Sequence, residues 1–129
     1  MEYYFLTLLK NISFDAAIKK TKDALKDEGF GVLTEIDMKS TFKQKLDVDF
    51  HNYKILGACN PTFAYKAIQH EDKIGTMLPC NVIVQERTNG IIEVAAVNPI
   101  ASMQAIKNKE LNAVSQEVKK KLEKVIHNL

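Results

Sequence analysis

Met77-Leu78-Pro79-Cys80-Asn81-Val82-Ile83-Val84-Gln85-Glu86-Arg87-Thr88-Asn89-Gly90-Ile91-Ile92-Glu93-Val94-Ala95-Ala96-Val97 contains two Val- and Ile-rich segments around an Asn-Gly pair. β-branched residues suit a pleated, half-buried surface, and Asn-Gly tolerates the positive φ angles of a tight hairpin turn. Met77 to Glu86 and Ile91 to Val97 therefore read as two antiparallel strands. Joining parallel strands would take a long crossover that this spacing does not allow.

Working toward the N-terminus, Asn60-Pro61 pairs a helix-capping residue with a proline whose missing N–H costs nothing at a first helical position. It predicts a helix from Pro61 to about Glu71, and Tyr53 to Cys59 before it reads as a strand. Ser40 to Leu46 fits a short amphipathic helix, and Asp47-Val48-Asp49 a polar loop. From Val32 the pattern has period two, with Val32, Thr34, Ile36 and Met38 facing one way and Leu33, Glu35, Asp37 and Lys39 the other. Ser13 is placed to cap a helix whose stripe is Phe14, Ala17, Ile18, Thr21 and Leu25, and Gly29 suits its left-handed end. The apolar residues near Met1 to Lys10 read as a first strand; they have neither the basic leader nor the cleavage site of a signal peptide.

Toward the C-terminus, Asn98-Pro99 repeats the cap-plus-proline pattern and predicts a helix through Ile106. Leu111, Val114, Val118, Leu122, Val125 and Leu129 then recur at spacings of three and four and predict a long amphipathic helix. Strands, helices and a hairpin in this order indicate an α+β domain. The expected form is a largely antiparallel sheet of about five strands with helices on one face, in a single domain spanning 1–129. The second face of such a sheet is left free for a dimer partner or a ligand.

Composition narrows the function. With 46% hydrophobic and 26% charged residues the chain is typical of globular domains. Its 18 basic and 16 acidic residues leave a net charge of +2, too little to recruit nucleic acid or anionic lipid by field alone. Arg87 is the single arginine, and the lysine runs at 19–22 and 119–121 lie on predicted helices as solvated faces, so nucleic acid is not an expected partner. No apolar stretch approaches the roughly 18 residues of a membrane-spanning helix. Two cysteines without an export signal point to free thiols in the cytoplasm.

Those cysteines, each followed by asparagine, are the candidates for chemistry. Alternation groups Cys59 with Ile55 and Gly57, and Cys80 with Leu78, Val82 and Val84, so both share a face with apolar residues. A buried thiol packs as a small hydrophobe, which gives the plain reading. The functional reading rests on Cys59, next to a predicted helix start whose free N–H groups favour a thiolate. Asn60 and Asn81 flank the thiols, and Glu35 with Lys39 offer a polar wall where the lysine can fix an anionic group. His51, His70 and His127 are isolated, so no metal ligand set or Cys-His nucleophile pair can be assigned. Gly57 inside a strand marks a close backbone approach or a bulge.

The runs Gly29-Phe30-Gly31-Val32-Leu33-Thr34-Glu35-Ile36-Asp37-Met38-Lys39, Tyr53-Lys54-Ile55-Leu56-Gly57-Ala58-Cys59-Asn60-Pro61, and Ile74-Gly75 with Leu78-Pro79-Cys80-Asn81-Val82 together resemble domain-of-unknown-function family 302. The resemblance implies a bacterial or archaeal domain of the TATA-binding-protein-like class: a strand, a helix, four strands and a terminal helix, often as a homodimer. It implies no activity, and the shape alone transfers no DNA binding. The family commonly has an acidic residue where this chain has Asn98, which retains the capping role.

Three functions follow. The favoured one is a small cytosolic binding or sensing module, homodimeric, whose pocket for a metal or small ligand is formed by Cys59, Cys80, Asn60, Asn81, Glu35 and Lys39. The alternatives are a thiol-dependent enzyme with Cys59 as nucleophile, and an interaction protein with packed cysteines. No cofactor is specified.

Overall fold

A computed structural model describes residues 1–129. In chain order the elements are β1 (Tyr4–Leu9), α1 (Phe14–Asp27), β2 (Gly31–Asp37), α2 (Met38–Leu46), β3 (Tyr53–Cys59), α3 (Pro61–His70), β4 (Cys80–Glu86), β5 (Ile92–Val97), α4 (Pro99–Ser102) and α5 (Lys109–His127). The strands form one sheet in the order β1-β5-β4-β3-β2, and every neighbouring pair is antiparallel. The fold is α+β, as its hairpin indicates. That hairpin closes through Asn89 and Gly90 at φ of 60° and 71°, the left-handed values such a turn requires.

The register assigns each residue to a face. Ala58 opposes Cys80, Leu56 opposes Val82, and Val82 opposes Ala96, so these residues share one side. Leu25 of α1 and Leu122 and Val125 of α5 pack with them in a single cluster. A smaller cluster of Ala67, Ile74 and Leu111 lies under α3, with Leu78, Met103 and Val114 against it. The opposite side carries Leu6, Ile83, Gln85, Glu93 and Ala95. α2 meets the sheet at the start of β3, where Phe42 and Tyr53 both approach Phe50.

The structure corrects several expectations. β2 is bulged between Val32 and Thr34: Val32 opposes Ala58, yet Thr34 opposes Gly57, so Leu33 is the extra residue. One inserted residue reverses the parity of everything after it. Val32 therefore lies on the helix-covered side while Thr34 and Ile36 lie on the other, and Glu35 changes sides with them. β2 stops at Asp37, whose carboxylate accepts from Ser40 N–H at 3.0 Å and caps α2, so Lys39 belongs to a helix rather than to the strand. β4 begins at Cys80, after a 3₁₀ turn over Asp72–Met77 and after Pro79, which has no N–H for the ladder. α4 ends at Ser102 instead of Ile106, because Asn108 adopts an extended conformation to cap α5, accepting from Glu110 N–H and Leu111 N–H.

Candidate functional site

A cavity of about 280 Å³ lies where the two apolar clusters meet, beneath α3 and α5 and against the ends of β3 and β4. Fourteen of its 18 lining residues are hydrophobic, among them Phe30, Phe63, Leu111 and Val118, and both thiols line it. Its origin is local. Cys80 starts β4 opposite Ala58, and the small side chains Ala58, Ala64 and Ala67 leave space that the larger residues around them do not fill.

Cys80 is buried, at 8% exposure, and Cys59 is half-buried; neither forms a disulfide. Burial pushes the Cys80 thiol up to about 11, and charge on Cys59 pushes in the same direction. Cys80 is thus a neutral thiol near neutral pH, a weak hydrogen-bonding group on an otherwise greasy wall rather than a nucleophile. Strict alternation places Cys59 on the side of Gly57, opposite Ala58, but it is the last residue of β3 and reaches the same cavity as Cys80.

Asn60 also lines the cavity, in a role different from the expected one. It occupies the position before α3, but its side chain makes no cap bond; Nδ2 instead donates to Glu28 O at 3.3 Å and ties the end of α1 to the start of α3. Asn98 does cap α4, accepting from Ile100 N–H at 3.1 Å while donating to Glu2 O at 3.0 Å.

The other three sequence candidates lie outside this cavity, so the six do not form one pocket. Asn81 is on the opposite side of the sheet, in a groove with Ile83 and Gln85. Glu35 is held between Lys22 Nζ at 2.7 Å and Lys54 Nζ at 3.1 Å, and these hydrogen-bonded ammonium groups lower its carboxyl below the usual range. Lys39 lines a polar hollow with His51, Asn52 and Arg87. The sequence reading missed Phe63, Met103 and Ser115 as cavity residues. Phe63 was legible only as part of a helical stripe, and nothing in the local pattern of Met103 or Ser115 links them across 12 residues, although Ser115 Oγ lies 3.4 Å from Met103 Sδ.

Gly57 is explained by contact. A Cβ there would collide with Thr34 Oγ1 and lie 2.8 Å from Pro79 Cγ, so the close approach expected from the sequence is present where β2, β3 and the start of β4 meet.

No group of three or more His, Cys, Asp or Glu side chains is arranged to hold a metal ion. No helix is long and apolar enough to cross a membrane. No curated protein matches the chain. The fold is similar to the crystal structure of an uncharacterized conserved protein DUF302 from Bacillus stearothermophilus, at a TM-score of 0.89 and 23% identity over 98% of each chain. The family model described as Domain of unknown function DUF302 matches residues 6–129, and the chain belongs to that family.

Proposed function

We propose that the protein is a small binding module whose ligand is an apolar molecule held in the cavity lined by Cys59 and Cys80. One observation carries this reading: a space of about 280 Å³, almost wholly apolar, remains open beside the main buried core. That volume is at the lower end of the roughly 300–1,000 Å³ typical of small-molecule sites, and apolar walls with a few polar groups are their usual composition. Cys59, Asn60 and Ser115 supply those polar groups. A neutral Cys80 favours noncovalent binding over attack on an electrophile. Two free thiols are compatible with the reducing cytoplasm that this reading assigns. The edge strand β1, with exposed Leu8 and one unpaired row of backbone groups, gives a second copy of the chain a strand to pair with, so the module is read as a homodimer.

The test uses the neutral fluorophore N-phenyl-1-naphthylamine with the wild type and with Ala64→Trp, which fills the cavity, backed by Val114→Phe. Saturable fluorescence enhancement in the wild type that both folded variants abolish supports the reading. Equal enhancement in all three proteins, or none in the wild type, overturns it.

A further inference from the structure

The uncovered side of the sheet carries a polar network that the cavity does not use. Gln85, only 6% exposed, donates from Nε2 to Glu93 Oε2 at 2.6 Å. A carboxylate can only accept, so the Gln85 amide is oriented with Oε1 toward His51, whose Nε2–H donates to it at 2.9 Å. Glu93 is 14% exposed at its side chain, and Arg87 Nη2 lies 3.7 Å from the same Oε2. Beside the network is a groove of about 430 Å³ whose apolar walls include Tyr4, Leu6, Tyr53 and Ile83. Around Arg87 the groove adjoins a second, wholly polar hollow containing Lys39, His51, Asn52 and Thr88.

Charge completes the pattern. Glu86 lines the hollow but accepts from Asn52 Nδ2 at 3.0 Å, and Glu93 is engaged by Gln85, so both carboxylates have donors. Lys39 has no carboxylate within ion-pair distance. Arg87 is half-exposed, and its contact with Glu93 is longer than a hydrogen bond, which leaves most of its guanidinium donors available. Aromatic walls therefore lead to Lys39, which has no ion pair, and to Arg87, whose one long contact with Glu93 leaves other guanidinium donors free.

We infer that the groove and the hollow joined at Arg87 form one binding site for a small organic anion, with its ring or apolar body against Tyr4, Tyr53 and Ile83 and its phosphate or carboxylate between Arg87 and Lys39. A planar guanidinium matches either anion by paired hydrogen bonds, and lysine adds a point charge. The site is separate from the thiol cavity, since the sheet lies between them.

Calorimetry and backbone amide NMR with phenyl phosphate, phenylacetate, neutral benzyl alcohol and inorganic phosphate test this. At least one of the two aromatic anions binds with shifts at Ile83, Arg87 and Glu93. Arg87→Gln and Lys39→Gln, both at solvent-accessible side chains, each weaken it by about tenfold. Benzyl alcohol and inorganic phosphate bind more weakly than the anion that joins both features, and the ratio of phenyl phosphate to phenylacetate affinity tells which headgroup is preferred. Binding that is indifferent to the anion or to both variants overturns the proposal, as do shifts confined to Cys59 and Phe63. No binding of either anion up to about 10 mM, with the face sealed by a second copy or free, overturns it as well.

Discussion

The two sides of the sheet use the same strands in opposite ways. On the helix-covered side Leu56, Val82, Val84, Val94 and Ala96 are buried, and an apolar cavity opens at Cys59 and Cys80. On the other side Gln85 and Glu93 lie close to buried but hydrogen-bonded to each other, while Leu6, Leu8 and Ile36 remain exposed. Apolar area removed from water contributes about 25 cal/mol per Å², so the first side holds the fold together. The second side places polar groups where a sheet face needs none for stability. The difference separates a packing surface with one imperfection from a surface arranged around specific hydrogen bonds.

Truncation puts the largest strain on this contrast. Leu56→Ala on the covered side is expected to cost about 2–5 kcal/mol by transfer and cavity terms. Ile36→Ala on the open side, away from β1, should stay within about 0.5 kcal/mol, as for an exposed site without special contacts. Urea melts of both measure the gap, and similar losses would mean that the open side is covered as far as β2 in solution.

Gly57, on the open side where β2 and β4 flank β3, comes next. Gly57→Ala forces a Cβ onto Thr34 Oγ1 and toward Pro79 Cγ, and overpacking of this kind costs about 1–3 kcal/mol. Removing one neighbour should relieve part of the strain. Gly57→Ala in a Thr34→Ala background is therefore expected to recover some of the loss in the same melts, because the collision with Thr34 Oγ1 is gone and the Pro79 contact is the one tight contact that remains.

A smaller effect, in pH, distinguishes the cavity thiol. The Cys80 thiol titrates near 9 when free and is raised to about 11 in the fold, so the unfolded chain loses this proton first. The stability that depends on keeping it protonated is complete below pH 9 and is lost as pH rises toward 11. Stability of the wild type should fall across that window more steeply than that of Cys80→Ala, as read by denaturant midpoints. Parallel curves would mean that Cys80 is not shielded from water.

The smallest effect belongs to Glu35. Its folded carboxyl is lowered by Lys22 first and then Lys54, so its contribution is present above the ordinary carboxylate range and is lost as pH falls through its lower folded value. The pairs are partly exposed, so Glu35→Gln should cost under about 1 kcal/mol at neutral pH, less in high salt, and nothing in strong acid.

Much of this architecture was legible because local chemistry and tertiary structure agree. The Asn89-Gly90 turn, the Ser13 and Asn98 caps and the stripes of α1 and α5 each need only a short window of sequence. The bulge at Leu33 was not legible, because it depends on how β2 meets β3 and leaves no mark in the run Val32 to Lys39. Missing it put Glu35 on the wrong side and grouped it with Lys39, which the Asp37 cap carries into α2. A meeting of Cys59 and Cys80 was legible only on the condition that the third and fourth strands are neighbours, which local sequence does not fix, and the His51-Gln85-Glu93 network joins residues up to 34 positions apart and needed the register of β4 with β5.

An amide NMR titration with N-phenyl-1-naphthylamine tests the central claim most directly. If the covered side holds the apolar ligand site, saturable shifts will be confined to residues around the cavity, among them Cys59, Phe63, Ala67, Leu111 and Ser115. Shifts centred instead on Leu6, Ile83 and Ala95, or the absence of any saturable shift, would contradict it.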